Sequence, residues 1–179
     1  MTHIKLDFVA LFIFALSGAS SALSKDGSLA FIGNITSSTC CVSVNGGNAN
    51  TSINLGTYYL SNFPYKGAMA TPIPFTISLI NCKPAVAKVA IIFDGTADSN
   101  DHSVFTNVKT GINASRGTGV RLYNDGADSS DISPHGISAF YSVLNNSVTL
   151  PFTVRVTSTA NNVTSGILQA DTDFTISYQ

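Results

Sequence analysis

Apolar and polar residues alternate with a period of two through most of this chain, which is the signature of strands buried on one face. Phe174, Ile176 and Tyr178 alternate with Thr175, Ser177 and Gln179 up to the final residue. Leu29 to Ile35 sets Leu29, Phe31, Gly33 and Ile35 on one face, and Pro72 to Cys82 does the same with Ile73, Phe75, Ile77 and Leu79. Val86 to Phe93 is almost unbroken apolar sequence, as a strand covered on both faces would be. Cys40 to Val44, Ser52 to Leu55, Gly119 to Tyr123 and Val148 to Thr157 supply further strand candidates. Turn clusters such as Asn45-Gly46-Gly47-Asn48 and Asn124-Asp125-Gly126 separate them. Short strands punctuated in this way predict an all-β domain, a β-sandwich of immunoglobulin-like topology. Chain ends fray unless something ties them down, so the regular strand at Asp173 to Gln179 reads either as a docking edge or as an ordinary terminal sheet strand.

Composition supports the all-β reading. All ten acidic residues are Asp, with no Glu, and the six Lys and three Arg are scattered along the chain. Good surface helix formers are therefore scarce, while Thr, Ser, Val, Ile, Phe and Asn dominate. A net charge of −1 without a basic stripe excludes a nucleic-acid surface. The N-terminus predicts export. Lys5 precedes the apolar run Phe8 to Leu16, and Ser20 and Ala22 take the −3 and −1 places of a signal-peptidase site. Residues 1–22 are thus read as a signal peptide, with Ala19 the weaker cleavage point. No later run of eighteen apolar residues predicts a membrane span. One domain follows, without internal repeat or linker.

Catalysis finds no footing in the sequence. There is no Gly-x-Ser-x-Gly elbow, no His-Glu-x-x-His and no phosphate loop. Asp94, Asp98 and Asp101 gather near Asn100, but without Ca²⁺-loop spacing they are expected to be solvated loop acids. His102 and His135 lie far from any Cys in sequence, so neither a metal nor any other cofactor is expected. Five Asn-x-Ser/Thr sequons, at Asn34, Asn50, Asn113, Asn145 and Asn162, are ordinary for a chain this rich in Asn, Ser and Thr.

Several blocks of the chain form an ordered pattern. Gly166 stands fourteenth from the end, alternating apolar residues follow it, and Tyr178 is penultimate. Gly33 precedes Cys40 by seven residues, and Ile53-Asn-Leu-Gly56 follows. Pro74-Phe75-Thr-Ile77-Ser-Leu79-Ile-Asn-Cys82, Phe93-Asp-Gly95-Thr-Ala-Asp98, Gly117-Thr-Gly119-Val120-Arg-Leu122 and Leu150-Pro-Phe152-Thr-Val-Arg-Val156 come next. Together these blocks resemble the chaperone–usher fimbrial subunits, the type 1 fimbria-like pilins. The block ending at Cys82 is similar to that family's strand ending in its second cysteine, and the later blocks fit too, although the family usually has Tyr where Val156 stands. The likeness spans the whole chain after the signal peptide.

The resemblance implies an incomplete sandwich lacking its final strand. Residues 23–36 would be an N-terminal donor-strand extension and 37–179 the pilin domain. Gly27, Leu29, Phe31, Gly33 and Ile35 would be the donor residues. Leu29, Phe31 and Ile35 would fill pockets, while Gly27 and Gly33 let backbones approach closely. Gly166, Phe174, Ile176, Tyr178 and Gln179 would form the chaperone-binding and groove-edge strand. The implied partners are a periplasmic chaperone, an outer-membrane usher and neighbouring fimbrial subunits, and the implied destination is a fimbria at the cell surface, supporting adhesion. Cys40 and Cys82 occupy the family's disulfide positions. Adjacent strand residues face opposite ways, so only one of Cys40 and Cys41 readily reaches Cys82. Spacing from Gly33 favours Cys40, and Cys41 is left as a buried small hydrophobe or a free thiol. The alternative function is a secreted single-domain binding module, or a tip adhesin, recognising carbohydrate.

Overall fold

The computed structural model describes residues 40–125 and 129–179, and every pairing among their strands is antiparallel. In chain order the strands are β1 (Cys41–Val44), β2 (Ile73–Ile80), β3 (Lys88–Gly95), β4 (Phe105–Thr106) and β5 (Thr118–Asn124). They continue with β6 (Asp131–Ile132), β7 (Gly136–Ile137), β8 (Tyr141–Ser142), β9 (Val148–Ser158) and β10 (Thr172–Tyr178). One sheet runs β1-β2-β9-β5-β4, with β6 also on β5. The other runs β10-β3-β7, with β8 also on β3. The only helical turn among the described residues is a 3₁₀ turn at Leu60–Asn62.

Two strands bury a row from each sheet. From β9, Leu150, Phe152 and Val154 point inward between more exposed neighbours, as one-sided burial demands, and at the strand's end Val156, Thr157 and Ser158 are all buried. Phe152 is fully buried and stacks on Phe75 of β2, directly opposite in register, at 5.4 Å between ring centroids. Phe93 of the other sheet meets the same ring edge-on at 5.2 Å. Offset and edge-to-face geometries suit the ring quadrupoles, so one side chain joins both sheets. β3 is buried on both faces around Val89, Ala90 and Ile91.

The domain has two well-separated poles. At one, Cys40 is disulfide-bonded to Cys82, and the Cys82 N–H donates to the Asn146 carbonyl in the β8–β9 turn. The backbone of Gln179 is held there too: its N–H donates to the Lys88 carbonyl at 2.8 Å, and its carbonyl accepts from Ala87 and Lys88. Cys41 is an exposed free thiol rather than a buried side chain. At the opposite pole the 57–69 segment meets the end of β9, and the 107–117 loop meets the 163–168 segment. Gly166 makes that last junction possible. It sits at φ +152°, and a Cβ there would fall 2.4 Å from the backbone of Ala114 and Ser115.

The structure departs from the sequence reading in several places. Residues 52–55 form no strand and pair with none among the described residues. β4, β6, β7 and β8 are two-residue strands without any periodic signal. The loop acids are not all solvated: Asp98 is buried and accepts from the Asn100 N–H, and Asp101 is drawn into an ion pair. Its partner, Arg121, stands directly opposite Arg155 across β5 and β9. Facing like charges destabilise a sheet, and here Arg121 is compensated twice, by Asp101 and by Asp131, each at 2.6 Å. The Ser103 hydroxyl, with Arg121 helping, holds the Asp101 carboxyl below the usual carboxylate range. Arg155 instead lies 6.0 Å over the Tyr123 ring.

Two outcomes test this architecture. Cys82→Ser opens a loop with a sequence separation of 42, which is worth about 4 kcal/mol by loop closure, so the yield of folded protein should fall sharply. Cys41→Ser, at an exposed site, should shift the denaturation midpoint by less than about 0.5 kcal/mol. Gly166→Ala forces backbone atoms apart and should cost about 2–4 kcal/mol in a denaturant titration; a change below about 0.5 kcal/mol would mean the close approach is not held in solution.

Candidate functional site

The feature that stands out is a long hollow along one side of the sandwich. Its middle section is about 1160 Å³, with a floor of Phe75, Phe105, Val120, Leu122 and Val154. Residues 51–56 form one wall and residues 167–173 the other. Toward the disulfide pole it continues through a hollow of about 600 Å³ that shares Ile53 and Phe75 and adds Val42, Val44, Phe174 and Ile176. Toward the opposite pole it continues through about 460 Å³ that shares Leu55 and Leu168 and adds Tyr58, Phe63 and Val156. The three sections make one groove that runs nearly the length of the domain.

The groove is apolar because it is the unfinished edge of the core. Val42, Ile53, Leu55, Leu168, Ala170, Phe174 and Ile176 all pack on the buried cluster while remaining partly exposed. Along the last strand and the segment that leads into it, the even-numbered Leu168, Ala170, Phe174 and Ile176 pack on the core. Phe174 opposite Phe93 and Ile176 opposite Ile91 fix the register of β10 on β3. The free edge of β10 faces the groove, since β3 is its one strand partner among the described residues. A strand edge with open N–H and C=O groups beside apolar pockets is a template for another strand. The rim is acidic. Asp171 and Asp173 are exposed, and Asp94 accepts from or pairs with His135 Nδ1 at 3.0 Å.

The residues singled out in the sequence occupy distinct parts of this site. Phe174 and Ile176 line the groove wall. Tyr178 and Gln179 lie at its disulfide end, where Tyr178 is opposite Val89 and about one-third exposed. Gly166 lines the other end and locks the approach to β10 onto the 113–115 backbone. Gly27, Leu29, Phe31, Gly33 and Ile35 lie outside the described residues. The floor residues were legible as core but not as groove, because nothing local marks which part of a core row is left uncovered. Leu168 and Ala170 could have been found by running the even-numbered alternation back past Thr172. Among the described residues no cluster of His, Cys, Asp or Glu could hold a metal ion.

Comparisons with known proteins place this geometry. A family model described as fimbrial protein matches residues 29–179. The fimbrial subunit type 1 of Salmonella typhimurium is 32% identical over 156 residues, covering 86% of this chain and 83% of that protein. The P pilus rod subunit PapA shares the fold at a TM-score of 0.63 and 20% identity, over 79% of this chain and all of PapA. A structure of a chaperone–usher pilus, solved for the basis of its rod uncoiling, superposes at a TM-score of 0.61 and 22% identity, over 90% of this chain and all of that one. An incomplete immunoglobulin-like sandwich, an apolar groove beside the C-terminal strand and a match across most of the chain agree: this protein belongs to the fimbrial protein family, whose members are structural, non-enzymatic subunits of fimbriae.

Proposed function

We propose that this subunit polymerises by donor-strand exchange, the groove of one copy receiving residues 23–36 of the next. The observation that carries this reading is the groove itself: a strand-length apolar channel beside the open edge of β10. Exposed apolar surface of this extent on an isolated domain is an aggregation hazard, so the groove needs an occupant at every stage. After removal of residues 1–22 on export, a periplasmic chaperone covers it along β10, at Phe174, Ile176 and Tyr178. At an outer-membrane usher the neighbour's segment replaces the chaperone, and the product is an adhesive fimbria at the cell surface. Strand addition to a sheet edge combines ladder hydrogen bonds with pockets for alternate side chains.

The donor row is suited to the channel. Leu29, Phe31 and Ile35 offer three apolar side chains at period two, worth roughly 1.5–3 kcal/mol each when fully buried. Each ladder hydrogen bond adds about 1 kcal/mol net. Every strand pairing described in the domain is antiparallel, and the donor continues that pattern against β10. Its N-terminal end then points toward Tyr178, and Ile35 lies toward Leu168.

Two experiments test the reading. Expressed without a chaperone, the domain should aggregate, whereas a copy of Gly27 to Ile35 fused after Gln179 through a flexible linker should give a soluble monomer of much higher melting temperature. An unmodified domain that is already monomeric and equally stable would sink the proposal. Gly27→Arg should leave export, the disulfide and chaperone binding intact while blocking donation, so electron microscopy should show chaperone-bound subunits and few fibres; normal fibres would remove Gly27 from the donor row.

A further inference from the structure

Beyond strand donation, we infer that consecutive copies also meet body to body: an apolar collar at the groove mouth of one copy packs on the disulfide pole of the copy that donates to it. The inference rests on the donor-strand reading and adds to it a second, separate surface.

The collar surrounds the end of the groove away from the disulfide. Ile112 is 97% exposed at the tip of the 107–117 loop. Ile167 is 56% exposed and is joined to that loop through its N–H, which donates to the Asn113 carbonyl at 2.7 Å. Tyr59 at 79% and Leu60 at 50% line the same hollow as Ile167. Single exposed apolar side chains are ordinary, but a contiguous set around a binding channel marks an interaction surface.

Chain length says what covers it. Antiparallel insertion leaves Ile35 near Leu168, at the collar. Only residues 36–39 separate Ile35 from Cys40, and a link of that length reaches roughly 17 Å even when fully extended. The donating copy must therefore present its Cys40–Cys82 pole to the collar. That pole carries its own apolar surface. Cys41 and Ile80 are opposite each other on β1 and β2, and both are exposed. Leu144 is 70% exposed at the turn that supports Cys82 through Asn146. The two surfaces differ, so the contact is head-to-tail, the kind that builds an open filament when its rotation does not close into a ring. It would hold successive subunits at a fixed angle where a four-residue link alone would let them swivel.

Ile112 and Leu144 line no part of the groove, which makes them clean probes. The test uses a two-copy complex in which the donating copy has its own groove filled by a fused Gly27–Ile35 segment. The comparison is the same acceptor filled only with a synthetic peptide of residues 23–36. The acceptor in the wild-type pair should melt at least about 5 °C above the peptide-filled acceptor. Ile112→Asp in the acceptor, or Leu144→Asp in the donating copy, should remove most of that surplus. Ile112→Asp should leave the melting temperature of the peptide-filled acceptor unchanged. A wild-type pair that melts no higher than the peptide-filled acceptor, or variants that keep the surplus, would overturn the contact. An acceptor that gains nothing from the peptide would defeat the donor-strand reading itself, and this contact with it.

Discussion

The inward row of β9 governs the rest of the structure. Leu150 and Phe152 are sealed between the sheets, with Phe152 touching Phe75 on one side and Phe93 on the other. Two residues further along the same strand and facing the same way, Val154 is both core and groove floor, and Val156 reaches the last hollow. Because the row is continuous, the boundary between protein interior and binding site falls within one strand. Whatever occupies the groove meets an extension of the existing core, and its burial is governed by the same packing that holds the sheets together.

This continuity explains which parts of the fold could be read from the sequence. β2, β9 and β10 are buried on one face, so their alternation is visible in the residues. β3 is covered on both faces and shows as an apolar run. The stretch around Ile53 and Leu55 carries the alternation of a strand yet makes no ladder among the described residues, because alternation reports which side chains face the core and says nothing of a backbone partner. β4 and β6 to β8 are too short for any period to appear; they exist because long neighbours pin them. The demand on Gly166 comes from Ala114 and Ser115, some fifty residues away in sequence. Asp98 looked like a solvated loop acid, and only the folded loop shows that it is buried and hydrogen-bonded.

The two arginines on the outer face of the first sheet show how a locally unfavourable pairing is tolerated. Arg121 and Arg155 are directly opposed, and a loop carboxylate and an edge-strand carboxylate close on the first while an aromatic ring receives the second. Asp101 thereby ties the 98–104 loop to β5, next to β4, whose Phe105 helps form the groove floor. The surface charges thus bear on the shape of the apolar channel.

The seven paired positions of β10 on β3, continued by the Gln179 clamp on Lys88, have a mechanical consequence. Tension along the strand direction loads all of these hydrogen bonds side by side, so no single bond at the end can fail and let the rest follow in turn. A strand seated on the other edge of β10 would be loaded in the same way. Pulled lengthwise, such a joint resists as a lap seam does, whereas a force across the strands would open it one bond at a time, like a zip.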